Sequence, residues 1–432
     1  MYTRLFPFRQ TAKVKVILKL TFVFFFLFFC LYSLYCVMTS SWMFPTVFGL
    51  RKPDAVAHRE FPSAVFRFYQ KCRSLKLKLV VMDKNILSSL VGEYRVPWEN
   101  VTMVSFGVFE AEGIQMEKAE QSGKFRMLGF TNQKPTFGTS AQKHTSCFLF
   151  RFRWTTLTIS VMVIYKNDGF YSTDVCGEES RTRIYGIIMD EFQTKQVTVN
   201  NTIMVVPAMT HSFVRELPFS TYVSCQRWRS PPGLTEEGKA HLQALLHLKE
   251  VARTLGKTVF IFSKTLLGWY RDCAFSDVID EVDMGMFVED LDKYFLTALQ
   301  KDPNIDGQVF GKIAHGMHFE LKVHGMRINL FLVYRDRLKG TMWVRRMDVG
   351  WGRILRLVYP DFGLCSGLFY DSVLYVPCPV VPLLKFEFGK EWAKARDLKS
   401  RPLNVDMENS FSPIQLPSLV KDINDPSISL RH

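Results

Sequence analysis

The stretch TLLGWYRDCAFSDVIDEVDMGMF, from Thr265 to Phe287, determines how the second half of this chain is interpreted. It places an aromatic segment around an arginine, and a few residues later it sets Glu281 and Asp283 at the start of an apolar run. Clustered carboxylates repel one another and resist desolvation, so a fold tolerates them beside a strand when a cation balances their charge. The stretch therefore predicts a cation next to these two acids.

The residues around this stretch predict a small mixed α/β domain. Thr235 is a suitable helix cap, leucines follow it on one face, and Gly256 ends that helix. The alternating runs on either side of His324-Gly325 are typical of a hairpin. The predicted elements are a helix over 235–255, a strand over 258–262, an aromatic turn, an acidic loop, a strand over 284–288, a polar helix over 289–301 and a hairpin over 319–334.

The first half of the chain predicts a separate α/β domain. A buried strand over 77–83 runs into a helix, and the alternating run over 148–169 is typical of paired strands. The segment RWRSPPGLT, with two prolines and a glycine, indicates a linker. The predicted organisation is a cytoplasmic tail (1–19), a transmembrane signal-anchor (20–38), a stem (39–54), an N-terminal lumenal α/β domain (55–226), a linker (227–234), a second α/β domain (235–405) and a C-terminal tail (406–432).

The N-terminus predicts a single-pass membrane anchor of type II. Residues 1–19 contain five basic side chains and no acid, and residues 20–38 contain no charge. A helix of that length spans about 30 Å, which matches the bilayer core. The residues that follow, TSSWMFP, do not resemble a signal-peptidase site, so the helix is expected to stay attached with its basic flank in the cytosol.

The cysteines and sequons agree with a lumenal location. Seven cysteines follow the anchor, so at least one of them is unpaired. Cys365 and Cys378 are predicted to form a disulfide, whose closed loop would stabilise the fold by about 3 kcal/mol; two buried free thiols are the alternative. Asn100 and Asn200 begin glycosylation sequons on the predicted lumenal side.

The formal net charge of +14 is compatible with an anionic substrate such as a nucleotide diphosphate or a phosphorylated glycan. Nucleic acid is the usual partner of a basic chain, but the predicted topology removes the lumenal residues from nucleic acid. We therefore expect no nucleic-acid partner.

Glu281 and Asp283 have the spacing of a divalent-cation site. Acids at i and i+2 of a strand point to the same face, and phosphoryl transfer uses such pairs because Mg²⁺ neutralises a diphosphate and orients it. The same pattern also occurs in solvated acidic turns, so both interpretations stay open at this point. The tryptophan, arginine and lysine residues nearby have structural interpretations too, as core side chains or ion-pair partners.

A series of motifs runs through roughly residues 235–405: LLGWYRDC (266–273), VDMGMF (282–287), FGK (310–312), YPDFGLC (359–365), VPC (376–378), FGKEW (388–392) and RPLNV (401–405). In their order and spacing these motifs resemble the fukutin family, whose catalytic region belongs to the wider LicD-type nucleotidyltransferase-like group. The resemblance is faint in the first half of the chain.

The resemblance implies an enzyme of the Golgi or endoplasmic reticulum membrane. Such proteins are transferases that move ribitol phosphate from a CDP-linked donor to the glycan of a glycoprotein. The implied cofactor is Mg²⁺ or Mn²⁺ on Glu281 and Asp283, and Asn329 matches the position at which the family usually has a third acid. Because an amide cannot act as a base, Asn329 favours the alternative of a non-catalytic homologue.

The remaining family positions imply phosphate and donor contacts. Arg271 would hold the diphosphate, Lys312 is a further phosphate contact, and Lys264 replaces the small residue that the family tends to have before LLGWYR. Trp269 could stack on the cytosine base. Two other classes of function compete with the enzyme: a non-catalytic homologue that binds glycan or assists a partner transferase, and a lectin-like adhesion module.

The predicted topology gives a direct test. Because the basic tail precedes an uncleaved apolar helix, protease added to sealed microsomes should spare the chain beyond residue 40 or so. Digestion of that region in intact vesicles, or a mature N-terminus that begins after Met38, would show that the topology is wrong.

Overall fold

The computed structural model describes residues 63–92, 101–125, 130–133, 147–152, 157–174, 186–199, 202–226, 234–275, 281–348, 353–394, 406–408 and 414–415. These residues all fall within one compact unit, Arg59–His432. They form two nine-stranded sheets and a two-stranded hairpin with helices packed against them, which confirms the mixed α/β class.

The first sheet is built by residues before 208. Its helices are α1 (Ser63–Ser74), α2 (Lys84–Val91), α3 (Glu110–Gln121) and α4 (Thr210–Glu216). Its strands are β1 (Val80–Val81), β2 (Met103–Phe109), β3 (Phe130–Gln133), β4 (Cys147–Phe152), β5 (Thr158–Lys166), β6 (Phe170–Thr173), β7 (Ile187–Asp190), β8 (Thr194–Val199) and β9 (Thr202–Pro207). The strand order is β3-β4-β5-β2-β1-β9-β8, and β6 joins β5 to β7.

Local sequence signals explain much of this sheet. Asp83 ends the β1 segment and caps α2, because its side chain accepts a hydrogen bond from the Ile86 amide at 3.0 Å. β4 and β5 pair antiparallel, which confirms the paired strands predicted over 148–169. β5 also pairs parallel with β2, and this central strand is buried along most of its length.

The second sheet is built by residues after 258. Its helices are α5 (Glu236–Thr254), α6 (Ser263–Asp272), α7 (Lys293–Lys301) and α8 (Val380–Phe388). The strands of this half are β10 (Val259–Ile261), β11 (Val282–Phe287), β12 (Ile305–Lys312), β13 (Gly316–Val323), β14 (Met326–Asp336), β15 (Thr341–Asp348), β16 (Arg353–Pro360), β17 (Gly363–Phe369), β18 (Ser372–Cys378), β19 (Asp406–Glu408) and β20 (Ile414–Gln415). The order is β19-β16-β15-β14-β13-β12-β20; β11 pairs parallel with β14 and antiparallel with β10, and β17 and β18 form the separate hairpin.

Two predicted elements of this half are confirmed at the residue level. Thr235 caps α5, because its hydroxyl accepts a hydrogen bond from the Gly238 amide at 3.0 Å. The hairpin turns at His324 and Gly325, which both have positive φ, and Val323 pairs with Met326 across the turn. A two-residue turn with left-handed backbone at both positions matches the twist of the flanking strands.

Three predictions around the acidic stretch are wrong. The segment predicted as an aromatic turn is the helix α6, because its buried side chains, among them Leu266, Leu267 and Trp269, follow a helical repeat against the core. The strand predicted over 284–288 begins earlier, at Val282, whose buried side chain lies opposite Ile328 of β14. The helix predicted over 289–301 is a short 3₁₀ turn followed by α7, which Asp292 caps.

The predicted cytoplasmic tail, anchor and stem lie outside the described residues, as do the sequon residues Asn100 and Asn200 and, apart from Leu234, the predicted linker. Of the predicted C-terminal tail, residues 406–408 and 414–415 are described, and they form the strands β19 and β20 at the two ends of the second sheet. No helix in the described part of the chain is long and apolar enough to cross a membrane. The anchor and the division into two lumenal domains therefore stay predictions.

Within the described residues, two disulfides stabilise the second half. Cys365 and Cys378 are joined across the β17–β18 hairpin with Cα atoms 5.8 Å apart, which is the pairing proposed from the sequence. Cys225 is joined to Cys273 at the end of α6. Cys72 is a free, buried thiol, and burial raises its pKa well above the ordinary value.

Two glycines of β17 allow a matched test of core packing. A Cβ at Gly367 would collide with the buried indole ring of Trp269, whereas a Cβ at the exposed Gly363 would meet its nearest atom, the Cys378 carbonyl oxygen, at 4.0 Å. Gly367→Ala should lower the free energy of unfolding by about 1–3 kcal/mol because the strand and α6 must separate. Gly363→Ala should change it by less than about 0.5 kcal/mol, and equal losses in urea denaturation would contradict this packing.

Candidate functional site

Asp283 is a fully buried carboxylate at the junction of α6, β11 and β14. The parallel pairing of β11 with β14 places it opposite Asn329. Its backbone is also fixed, because its N–H donates to Thr265 Oγ1 at 2.8 Å and its carbonyl accepts from the Phe262 N–H at 3.0 Å. The position of this acid is therefore set by three elements at once.

Each oxygen of the Asp283 carboxylate accepts a hydrogen bond. Asn329 Nδ2 donates to Oδ1 at 3.0 Å, and the backbone N–H of Lys264 donates to Oδ2 at 3.2 Å. Lys264 lies in the first turn of α6, where free N–H groups and the helix dipole favour a negative charge. Asp283 thus acts as an N-terminal cap for α6 from a neighbouring strand.

Glu281 lies immediately before β11 and is partly exposed, with 28% of its side chain accessible. The Lys264 ammonium group is 3.3 Å from Glu281 Oε1. Lys264 therefore contacts both members of the acidic pair, through its backbone N–H for Asp283 and through its side chain for Glu281. The cation that the sequence predicts beside these acids is, in part, this lysine.

Arg346 of β15 and Glu387 of α8 complete a network of charged groups around Asp283. Arg346 Nη1 lies 4.0 Å from Glu387 Oε1, and its guanidinium group stands over the Phe331 ring. Glu387 is buried and accepts a hydrogen bond from the Ser263 hydroxyl at the start of α6. Three acids, Glu281, Asp283 and Glu387, thus surround two cations, Lys264 and Arg346.

Burial controls the protonation of this network. It raises the pKa of Asp283, while the positive charge of Arg346 opposes that rise. Burial likewise raises the pKa of Glu387, against the Ser263 hydrogen bond and the Arg346 charge. Burial lowers the pKa of Arg346, but the charges of Asp283 and Glu387 outweigh that effect and raise it. The network therefore holds a permanent cation next to two acids that resist ionisation.

A row of polar side chains runs across the sheet from Asp283. Asp283 lies opposite Asn329, Asn329 opposite Glu320, and Glu320 opposite Gln308. Directly paired residues share one face of a sheet, so the four side chains are neighbours. Gln308 Nε2 donates to Glu320 Oε2 at 3.0 Å, and His318 Nε2 lies 3.9 Å from Glu320 Oε1. His318 and Gln308 lower the pKa of Glu320, whereas burial acts to raise it.

The structure does not place Trp269 or Arg271 beside the acids. Trp269 is fully buried and its Nε1–H donates to the Leu368 carbonyl at 2.8 Å, so it has no exposed face for a base. Arg271 forms an ion pair with Asp272, with an Nη2–Oδ2 distance of 2.7 Å. It lies two helical turns from Lys264, about 10 Å along α6. In the structure, Trp269 is therefore a core side chain and Arg271 is a member of an ion pair.

Lys312 is exposed at the end of β12, and β13 separates β12 from β14. Adjacent strands are about 4.8 Å apart, so Lys312 is roughly 10 Å from the strand of Asn329, besides its offset along β12. It lies at the margin of the polar face and could reach a long ligand, but it does not belong to the network around Asp283.

The donor atoms around Glu281 suit a hard divalent cation. Glu281, Asp283 and Asn329 supply the oxygen ligands that Mg²⁺ and Mn²⁺ prefer. The Lys264 ammonium group beside Glu281 shows that this place already stabilises a positive charge. Nowhere in the described ranges do three or more His, Cys, Asp or Glu side chains gather as a metal group. A metal ion would therefore depend on two carboxylates and an amide, and Lys264 would compete with it.

Sequence reasoning missed Arg346 and Glu387. Arg346 follows another arginine in MWVRRMDVG, and a charged pair inside an apolar strand is a signal that at least one of the two is buried with a partner. Glu387 directly precedes the FGKEW motif and sits among apolar residues of α8. Neither signal identifies Asp283 as the group that both residues surround.

No protein-family model matches this chain. A mouse protein named ribitol-5-phosphate transferase FKTN is 26% identical over 347 residues, which cover 72% of this chain and 70% of the mouse protein. Proteins of the same name from Macaca fascicularis and human are each 28% identical over 243 residues, which cover 52% of this chain and 51% of each relative. The matched region thus spans about half the length of these two relatives.

Removing Arg346 tests the charge network. Arg346→Met leaves Asp283 and Glu387 without their shared cation, so we expect a loss of about 3 kcal/mol in the free energy of unfolding near pH 8. Both acids have raised pKa values, so they take up protons as the pH falls and the loss should shrink towards pH 4 or so. Arg337→Met, at an exposed arginine, is the control and should have little effect at either pH. An equal loss at both pH values would contradict the network.

Proposed function

Since this chain is a relative of the fukutin family, as its motifs predicted, we propose that it is a transferase that moves ribitol phosphate, or a similar alditol phosphate, from a CDP-linked donor to a glycoprotein glycan. The relatives at 26–28% identity carry the name of ribitol-5-phosphate transferases. The observation that carries the proposal is the placement of Asp283 and Asn329 side by side on β11 and β14, with Glu281 at their exposed edge.

Each residue of this group has a distinct role in the proposal. Glu281 is the accessible carboxylate, so it is the group that would accept a proton from the attacking acceptor hydroxyl. Asp283 fixes the start of α6 and supplies negative charge behind Glu281. Lys264, whose ammonium group lies beside Glu281, would bind the donor phosphate, where its charge offsets the charge that develops on the departing CMP.

Mg²⁺ or Mn²⁺ belongs to the proposal as well. Glu281 and Asp283, with the Asn329 amide, are the residues that would hold the ion, and it would supply neutralisation of the donor diphosphate. The polar row that continues through Glu320 and Gln308 offers hydrogen-bonding groups to a ligand that extends from this point across the sheet.

The location and partners in this proposal follow from the N-terminal sequence and the family. We place the protein in the Golgi or endoplasmic reticulum membrane as a single-pass type II protein with its transferase domain in the lumen. The acceptor is a glycoprotein glycan, and partner transferases that build the same glycan would act beside it.

A second candidate is a non-catalytic homologue that binds glycan or assists a partner transferase. The observation that favours it is the internal pairing of the site: Asn329 donates to Asp283, and Lys264 pairs with Glu281, so both acids have partners within the protein. An amide at position 329 also removes a carboxylate that the family usually has. The two candidates make opposite predictions about turnover.

Turnover of a CDP-linked donor tests the enzyme. The full chain, purified in detergent with Mg²⁺ or Mn²⁺, should release CMP from CDP-ribitol in the presence of glycoprotein acceptor, and chelation of the metal should stop the release. Glu281→Gln should reduce the rate by about 10²–10⁴-fold, the usual contribution of a general base. Glu289→Gln is the matched control, since this exposed acid lies just beyond the other end of β11 and should keep full activity.

Asn329→Asp separates the two candidates. It restores the acid that the family usually has, so it should raise the rate of CMP release if the site is a weakened enzyme. If neither the natural chain nor this variant releases CMP, while glycan binding survives Glu281→Gln, the non-catalytic candidate is correct.

A further inference from the structure

A cavity of about 370 Å³ lies between the first sheet and the second half of the chain. One wall comes from β7, the residues after it, and α4. The opposite wall comes from Arg253 of α5, Ser366 of β17 and Tyr375 of β18. Its volume falls within the range of small-molecule sites, roughly 300–1,000 Å³. None of the acidic-site residues lines it, so it is separate from the transferase site proposed above.

The elements around this cavity are held together by polar contacts. Lys249 of α5 donates to both oxygens of Asp190, at 2.6 and 2.8 Å, and to the Val373 carbonyl at 2.6 Å. Tyr222 forms a bridge to Ser366, and Ile187 forms one to Thr221. The walls are therefore fixed on both sides, and the cavity is a preformed feature of the fold.

Glu216 supplies a polar group without a protein partner in this cavity. Unlike Asp190, whose charge Lys249 balances, the Glu216 carboxylate takes no hydrogen bond or ion pair from any residue that the structure describes. Burial raises the pKa of Glu216 to about 7, and the charge of Asp190 adds to that rise, against Arg253 and Lys249. A carboxyl group in such a setting lacks a hydrogen-bond donor, which a ligand could supply.

The other lining groups combine hydroxyls with aromatic rings. Ser212, Ser220, Ser366 and Tyr375 place hydroxyl groups around the cavity, and Phe192 and Phe213 meet edge to face with centroids 5.0 Å apart. Ring faces pack against the C–H groups of a sugar, while hydroxyl and carboxyl groups bind its hydroxyls. Exposed Gln193 and Met209, which is 48% accessible, form the mouth.

The charge of the lining argues against an anionic ligand. Asp190, Glu191 and Glu216 are acidic, and Arg253, the cation that lines the cavity, already binds Glu250 with Nε–Oε2 at 2.8 Å. A phosphate or nucleotide would meet the unpaired Glu216 carboxylate, and the described lining residues offer it no free cation because Arg253 already binds an acid. From this combination of groups we infer that the cavity binds a neutral, hydroxyl-rich ligand, one sugar or alditol unit, whose hydroxyl donates to Glu216.

Binding of simple probes to the full chain in detergent tests this site. Ribitol, glucose and mannose at millimolar concentrations should give saturation-transfer NMR signals, and glucose 6-phosphate should bind more weakly than glucose. At pH 8, where most of the Glu216 carboxyl is ionised, Glu216→Gln should weaken probe binding about tenfold because the charged acceptor is lost. Ser212→Leu, which fills the cavity from the buried face of α4, should abolish binding. Glu289→Gln lies outside the cavity and should bind as the natural chain does.

Circular dichroism and thermal unfolding of each variant show whether it is folded. The inference is overturned if no neutral probe binds, or if Glu216→Gln and Ser212→Leu both fold and bind the probes as the natural chain does. It is also overturned if glucosamine, at a pH where its amine is charged, binds much more tightly than glucose, because the site would then be one for amines. The assay does not use CMP release, so its outcome is independent of the proposed transferase activity.

Discussion

The burial of the Asp283 carboxylate is the constraint on which the second half of this protein depends. A carboxylate without access to water needs hydrogen-bond donors and a nearby positive charge, because without them it becomes protonated. Here the donors are the first turn of α6 and Asn329, and the charge comes from Arg346. One side chain thus ties the start of a helix to two parallel strands and to a more distant strand of the same sheet.

Pairing of an acid with a basic side chain also occurs where the two halves of the chain meet. Asp190 at the end of β7 is held by Lys249 of α5, and Arg215 of α4 reaches Asp290 just beyond β11 at 2.6 Å. In each case an acid from one half receives a long basic side chain from the other. Loss of one member would leave the other poorly solvated and uncompensated, so such pairs make relative displacement of the two halves costly.

The asparagine in the acidic site changes its electrostatics in a definite direction. A third carboxylate at position 329 would raise the pKa of Asp283 further, because like charges at hydrogen-bond distance oppose ionisation. The Asn329 amide instead donates to Asp283 and opposes the rise that burial causes in its pKa. The site therefore keeps an ionised Asp283 more easily with less total negative charge, and it relies less on an external cation for its stability than a site with three acids would.

The sequence by itself determined what depends on neighbouring residues. The Thr235 cap, the turn at His324-Gly325 and the alternation of β4 and β5 follow from backbone and side-chain preferences that act within a few residues. The acidic pair, Glu281 and Asp283, was likewise identified from residues that are close together in the sequence. Tertiary structure alone decided that Trp269 is core, that Asp283 faces Asn329 and that Arg346 and Glu387 surround it. Ser263 and Glu387, which bond to each other, are 124 residues apart. Contacts across such separations depend on strand order and register, which are set by the packing of the whole sheet and not by any local pattern.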